Sequence, residues 1–253
     1  MIACYNEQDF VKKLKKTMLL EQQTGIRNGV YGFTQINMAF NSNKIEGSTL
    51  TKGQTASMFD RGTIDLDGDV TIRRKDIEEL TGHFKMFNYM LSIVDEPLSE
   101  SNIKIMHKNL KENVFEDMAN GYAVGDYKKR ANIVGNIKTA LPSEVPSKMK
   151  ELLDWYGSKT DITLRDIADL HLRFETIHPF QDGNGRVGRM IMLKECLKHD
   201  IIPVIVRDSN KSQYLRALSS KSIDELTSFF KQEQDFYRDK TVLMVYEYGV
   251  DYE

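Results

Sequence analysis

The sequence predicts an all-α fold of about eight or nine helices carrying one β-hairpin. Three observations lead there. Apolar residues recur at helical spacing through most of the chain, and capping residues, glycines or prolines bracket those runs. Period-two alternation with closely spaced glycines is confined to residues 122–136.

Residues 7–23 place Phe10, Leu14, Met18 and Leu19 at helical spacing, and Gly25 follows as a stop. Past Gly29 and Gly32, Thr34 can cap a second helix through Ile36, Ala39, Phe40 and Ile45, closing at Gly47. Its last turn holds Glu46, where the helix dipole favours a cation. An exposed carboxylate there costs little; the sharper explanation is an arginine on another element. Ser42 and Glu46, four apart, face the same way. Residues 51–61 read as a short helix. The run Asp65-Leu66-Asp67-Gly68-Asp69 faintly resembles a calcium loop, but Val70 stands where that loop needs glycine and Asp76 where it needs glutamate. A hairpin turn at Asp67-Gly68, between Ile64 and Val70, is expected instead. Residues 74–94 form a long helix with Ile77, Leu80, Phe84, Phe87 and Leu91 inward, and Pro97 ends the connection. Ser99 or Ser101 caps the next helix, through Ile105 and Leu110.

In the predicted hairpin, Tyr122, Val124, Tyr127, Ile133 and Val134 alternate around Gly121, Gly125 and Gly135. An isolated hairpin is marginal unless it packs on helices or has work to do. Pro142, Pro146 and Ser147 introduce a helix through Met149, Leu152, Leu153 and Trp155. Thr163-Leu164-Arg165-Asp166 starts another, with a hydroxyl cap and an acid three residues on. Its apolar positions run to Ile177, and Pro179 denies it a further amide donor, so His178 falls at its end. Val187, Met190, Ile191, Leu193 and Leu197 restart the pattern. A helix over residues 209–217 and a last one from Asp224 through Leu226, Phe229, Phe230 and Phe236 close the core, and residues 246–253 fray.

The chemistry concentrates in His178-Pro179-Phe180-Gln181-Asp182-Gly183-Asn184-Gly185-Arg186-Val187-Gly188-Arg189, at the joint between two of these helices. Gly183-Asn184-Gly185 makes a tight turn before a helix N-terminus, a place that binds anions through free amides and the dipole. Arg186 and Arg189, three apart on the first turn, share a face and can both grip phosphate oxygens. Asp182 would repel such an anion unless a cation bridged them, which points to Mg²⁺ held by one carboxylate and substrate phosphates. His178, neutral near pH 7, can take a proton from an attacking hydroxyl. Singly, each of these residues has an ordinary structural reading: a helix-end histidine, a plain turn, solvated ion pairs. Their coincidence within one short stretch favours a phosphoryl or nucleotidyl transferase.

That stretch resembles the Fic-family active-site motif, H-x-F-x-[D/E]-G-N-G-R-x-x-R, at every defined position. The resemblance implies transfer of AMP from ATP to a hydroxyl side chain (Ser, Thr or Tyr) of a target protein. By that likeness His178 is the general base and Asp182 the ligand of Mg²⁺ or Mn²⁺. Gly183, Asn184, Gly185 and Arg186 then cradle the α- and β-phosphates, and Arg189 holds the γ-phosphate. The related Doc branch, which phosphorylates, carries Ala and Lys where this chain has Gly183 and Gly185.

Ser42-Asn43-Lys44-Ile45-Glu46-Gly47 is similar to the family's inhibitory motif, [S/T]-x-x-x-E-[G/N], in its N-terminal (class II) position. This implies that Glu46 pairs with Arg189, occupies the γ-phosphate position and restrains the enzyme. In some relatives the same glutamate helps remove AMP, so a de-AMPylating hydrolase is the alternative, with a nucleotide-sensing binding module as a second. Gly125-Asp126-Tyr127-Lys128 resembles the family's G-x-Y-R, with Lys128 in place of arginine; the segment is then a flap that holds an extended target strand through Gly125, Tyr127 and Lys128. Tyr214 falls in a segment similar to the family's Y-x-x-A-L and is expected beside adenine, an ordinary core tyrosine being equally consistent. The same likeness divides the chain into an N-terminal helical region, 1–97, and a catalytic core, 98–253, and points to self-modification and homodimers.

Bulk properties set outer bounds. With 253 residues the chain can bury a full core. A formal net charge of −2 gives no polyanion-binding signature, which argues against nucleic acid. Cys4 and Cys196 match no metal or redox spacing, and Cys196 reads as a core filler. Without an apolar run of membrane length or a signal peptide, a soluble cytoplasmic protein without membrane contact is expected. His199-Asp200 invites a metal-dependent phosphohydrolase reading, which lacks partner histidines and falls where a helix should end.

Overall fold

The protein is described by a computed structural model over residues 6–65, 71–134 and 137–247. Cys4, the expected turn at Asp67-Gly68, Gly135 and the tail beyond residue 247 lie outside the described residues. The described chain is helical. Its helices are α1 (Glu7–Thr24), α2 (Val30–Ile45), α3 (Lys52–Arg61), α4 (Arg74–Ser92), α5 (Glu100–Lys111), α6 (Phe115–Ala119), α7 (Val145–Gly157), α8 (Leu164–Ile177), α9 (Asn184–Lys198), α10 (Lys211–Ser220) and α11 (Ile223–Tyr246). These eleven exceed the expected eight or nine. The one with no sequence forecast is α6, only five residues long, below what periodicity can register.

Strand structure is smaller than expected. The flap hairpin predicted over 122–136 is not shown: residues 122–132 run as turns and irregular chain. Among the described residues, pairing is limited to β1 (Ile133–Val134) against β2 (Ile137–Lys138), antiparallel, with Ile133 opposite Lys138 and Val134 opposite Ile137. The alternation does not make a ribbon because Tyr127 and Lys128 are both buried, Tyr127 beside Phe180 and the Lys128 amide bonded to Pro179 O. Adjacent residues thus turn to the 179–180 loop and not to opposite faces of a strand.

A second departure is the start of α2. Thr34 does not cap it; its hydroxyl donates to Val30 O at 2.7 Å, one turn back, and meets Tyr237 Oη at 2.7 Å. The helix is capped five residues earlier at Gly29, where Glu21 of α1 accepts the Tyr31 amide at 2.7 Å. A carboxylate from another helix caps the N-terminus and neutralises its dipole, a long-range contact that leaves no local sequence signal. By contrast α8 begins as read: Thr163 Oγ1 accepts from the Asp166 amide and Asp166 accepts from the Thr163 amide.

The centre of the fold is α9. Thirteen of its fifteen residues are buried, so it is wrapped on all sides and its polar side chains need internal partners. Lys194 donates to Glu96 O at 2.6 Å and Glu195 at 2.9 Å, and Cys196 fills core space as expected, its thiol pushed up to about 12 by burial. One large apolar cluster takes Phe10 and Leu14 from α1, Phe87 from α4, Met106 from α5, Phe174 from α8 and Tyr237 from α11. His199 caps the C-terminus of α9 and faces Glu195 at 3.4 Å, a helix-end role. Among the described residues no helix is long and apolar enough to cross a membrane.

α4 and α5 approach closely at Gly82, where any Cβ would run into the Leu110 and Asn109 carbonyls. Backbone cannot yield as a flexible side chain can, so Gly82→Ala should destabilise by about 1–3 kcal/mol, read as a lowered urea midpoint. Acid should also weaken the fold. Burial pushes His83, His107 and His171 down to about 3, so below pH 6.5 the unfolded chain takes up protons that the native state refuses. The unfolded state then binds more protons and stability falls with pH, by about 1 kcal/mol per histidine between pH 7.5 and 5.5. Urea unfolding at the two pH values measures this.

Candidate active site

The joint between α8 and α9 is built by backbone constraint. His178 sits at the C-cap of α8 in the left-handed region, φ 53°, its amide donating to Phe174 O at 2.9 Å. This turns the chain sharply enough to place residues 179–183 over the start of α9. Asn184 then clasps the loop: its Oδ1 accepts the Phe180 amide at 2.7 Å and its Nδ2 donates to Phe180 O at 2.9 Å. Asn184 therefore works on the loop's own backbone. The Val187 amide donates to Gly183 O, and the amides ahead of it on the first turn of α9 have no acceptor within the helix, the arrangement by which helix N-termini bind anions. Gly185 brings the α9 backbone against the Glu46–Arg189 pair: a Cβ there would meet Glu46 Oε1 and crowd Arg189, so a side chain would have to push the glutamate aside.

The segment after α6 is stitched onto this loop. The Lys128 amide donates to Pro179 O at 2.9 Å, and Asn132 Nδ2 donates to Phe180 O at 3.0 Å. The Lys128 ammonium is buried, donating to Asn132 Oδ1 and Thr139 Oγ1 at 2.7 Å each, and burial brings it down to about 8. Tyr127 is buried beside Phe180. Gly125 donates its amide to His107 Nδ1 at 3.0 Å, which fixes the proton on Nε2; Nε2 then donates to Asp182 O at 3.1 Å. His107 also stacks flat on Phe180, ring centroids 3.9 Å apart. Gly125, Tyr127 and Lys128 thus brace the loop that carries Asp182.

Glu46 and Arg189, 143 residues apart in sequence, meet at 2.7 Å. Arg189 is buried and also donates Nε to Ser42 Oγ at 2.9 Å and Nη2 to Ser42 O at 3.1 Å. Burial alone would raise the Glu46 carboxyl, but Arg189 and Arg186 outweigh it and hold it below its ordinary value. Its side chain stays 34% exposed, so this pair is reachable from solvent. Gly47 follows in the left-handed region and closes α2.

Arg186 lies elsewhere in the charge pattern. Only 2% exposed, it binds Glu79 of α4 at 2.6 Å, with Asp182 at 3.5 Å and Asn43 Oδ1 at 3.5 Å. Asp182 in turn accepts the Gly183 amide on Oδ1 and the Lys111 ammonium on Oδ2, each at 2.7 Å. Burial disfavours its charge, yet Arg186, Lys111 and Lys75 hold it well below the usual carboxylate range. The anionic Asp182 carboxylate offers hard oxygen donors of the kind a divalent ion takes together with substrate phosphates, but Lys111 already holds its Oδ2, so an ion there would have to displace that ammonium. Among the described residues no group of three His, Cys, Asp or Glu side chains is arranged to hold a metal unaided.

His178, Glu46, Arg189, Gly185 and Tyr214 line one cavity of 370 Å³ together with Ile45, Leu172, Leu215 and Leu218. Lys211 and Lys221 also line it, so apolar walls stand beside cationic side chains, a combination that suits a nucleotide-sized anionic ligand. Burial and Lys128 push His178 down to about 4, so its imidazole is neutral at ordinary pH. Tyr214 presents its ring to Arg189, 5.9 Å away, while its hydroxyl meets His171 Nε2 at 2.7 Å. Glu175 lines the same cavity, pushed up to about 7 by burial.

Sequence reading did not single out Glu79, Lys111, Asp117 or Glu175. Glu79 and Lys111 reach the site from helices far away in sequence, where each looks like one more charged residue in a helical pattern. Glu175 was the most accessible, as an acid three residues before His178.

Residues 97–196 match the Fic/DOC family. The chain is 25% identical over 191 residues to "Protein adenylyltransferase fic-1" of Caenorhabditis elegans, a match covering 74% of this chain and 36% of that protein. It is 25% identical over 195 residues to "Protein adenylyltransferase Fic" of Nematostella vectensis, covering 76% of this chain and 44% of that one. The match therefore spans less than half the length of these curated relatives. Among solved structures, a Fic domain containing signaling protein from Bacteroides thetaiotaomicron superposes with a TM-score of 0.72 at 22% identity, covering 95% of this chain and 96% of the other. Fic-1 (aa134 - 508) from C. elegans gives a TM-score of 0.71 at 18% identity, covering 93% and 71%. These structural likenesses show a shared fold.

Proposed function

We propose that the chain, whose residues 97–196 match the Fic/DOC family, is a protein adenylyltransferase restrained by Glu46. It would move AMP from ATP to a Ser, Thr or Tyr hydroxyl of a target protein, the chain itself included. The observation that carries this reading is the cavity in which a neutral His178 faces Arg189 while Glu46 holds that arginine. The names of the curated relatives support the chemistry.

In the working pose the target hydroxyl oxygen bonds to the α-phosphorus, the α–β phosphoanhydride bond breaks and pyrophosphate departs. The hydroxyl proton passes to the His178 imidazole, which burial keeps free to accept it. The open amides at the start of α9 bind phosphate oxygens, and Arg189, once released from Glu46, takes the terminal phosphate. Mg²⁺ or Mn²⁺, held by Asp182 and the phosphates, would neutralise charge on the leaving pyrophosphate. Arg186 acts through Asp182 and Glu79, which it touches, in keeping with its burial. The braced segment from Gly125 to Lys128 sets the floor on which a target peptide would lie.

Incubation with α-labelled and, separately, γ-labelled ATP tests the reading. Label on protein from the α position alone is expected; label from the γ position alone would mean phosphoryl transfer and overturn it. Removal of AMP is a second reading, favoured by the presence of the Glu46 carboxylate in the same cavity as His178. It predicts that wild type strips AMP from a modified target and Glu46→Gly does not.

A further inference from the structure

Lys111 closes the last turn of α5 with an ammonium only 1% exposed. Three carboxylates from three other parts of the chain converge on it: Glu79 of α4 at 2.6 Å, Asp117 of α6 at 2.7 Å and Asp182 of the active-site loop at 2.7 Å. Glu79 and Asp182 accept hydrogen bonds from it. Asp117 lies within ion-pair reach but outside hydrogen-bond direction, and its Oδ2 makes no hydrogen bond to another protein group. Burial raises Asp117 against the pull of Lys111, whereas Glu79 is held below its ordinary value by Arg186 and Lys111 despite its own burial.

A buried ammonium surrounded by three carboxylates has the surroundings of a bound metal ion, hard oxygen donors around one positive charge. It also touches the one carboxylate of the motif assigned to the divalent ion. We propose that Lys111 is a tethered cation that occupies the metal's side of Asp182 in the resting site and competes with the divalent ion for Oδ2. When the ion enters with nucleotide, Lys111 gives up Asp182 and keeps Glu79 and Asp117, so its charge is never left unpaired. Through Glu79 it also holds Arg186, closing a ring of alternating charge, Lys111–Glu79–Arg186–Asp182. Lys111 is thus a positioning residue that keeps Asp182 aimed while making the site hold metal poorly until nucleotide phosphates arrive. This inference rests on the reading of Asp182 as the ion's ligand.

The probe is Mn²⁺ alone, titrated without nucleotide and followed by the electron paramagnetic resonance of the free ion. Lys111→Met removes the ammonium in contact with Asp182 Oδ2 and takes the cation from Asp117, while Glu79 and Asp182 keep Arg186 and the more distant Lys75. Mn²⁺ should therefore bind about tenfold tighter than to wild type. Where that variant fails to fold, Lys111→Met with Asp117→Asn balances the charge and should still bind several-fold tighter. Adding Asp182→Asn should abolish the gain. Equal Mn²⁺ affinity in wild type and the Lys111 variants overturns the role of Lys111, since a purely structural lysine predicts that equality. A separate control isolates the premise: Asp182→Asn should weaken Mn²⁺·ATP binding. If it does not, the metal reading of Asp182 fails and the inference with it.

Discussion

Glu46→Gly is expected to raise AMP incorporation by about tenfold or more. Arg189 in the resting protein donates three hydrogen bonds, one to Glu46 and two to Ser42, and a nucleotide's terminal phosphate must take over the first. A hydrogen bond between charged groups contributes about 1.5–3 kcal/mol. With a third of the Glu46 side chain in solvent the lower end applies, because water screens the pair. Each 1.4 kcal/mol is about tenfold in an equilibrium constant. Removing the carboxylate also removes a negative charge from the cavity that receives an anion, which acts in the same direction. Initial rates with α-labelled ATP measure the effect, and unchanged rates would mean that Glu46 is no brake.

His178→Ala placed in the Glu46→Gly background should lower that rate by about 10²–10⁴-fold, the usual contribution of a positioned general base. The pH profile is the finer signature. A base must be neutral to act, and with His178 pushed down to about 4 it is neutral throughout pH 5–8. The log of kcat/KM for Glu46→Gly should therefore show no acid limb near the ordinary histidine value of about 6.5; an unperturbed limb there would contradict the burial argument. Thermal unfolding monitored alongside guards against reading a loss of fold as a loss of chemistry.

The residues on which these predictions depend differ in how openly the sequence displays them. Helix starts with local caps, such as Thr163 with Asp166, are visible because both partners lie within four residues. The joint at His178 is visible for the same reason: proline, glycines and arginines crowd into one stretch. Glu46 is legible through its awkward place at a helix C-terminus, a local anomaly that the Arg189 contact resolves. The start of α2 was misread because its cap comes from Glu21 on another helix. The alternation over-reads as a hairpin because Tyr127 is buried beside Phe180 of the active-site loop and does not stand on a strand face. Lys111, Glu79 and Asp117 leave no local trace at all. Their meaning arises only when α4, α5 and α6 bring them to one point beside Asp182.

The most direct test of the restraint is a calorimetric comparison of ATP and ADP binding, with Mg²⁺, to wild type and Glu46→Gly. If Glu46 occupies the place of the terminal phosphate, the substitution should strengthen ATP binding by about tenfold and leave ADP, which lacks that phosphate, nearly unchanged. Equal gains for both nucleotides, or none for either, would contradict competition at Arg189 and remove the basis for the restrained-enzyme account.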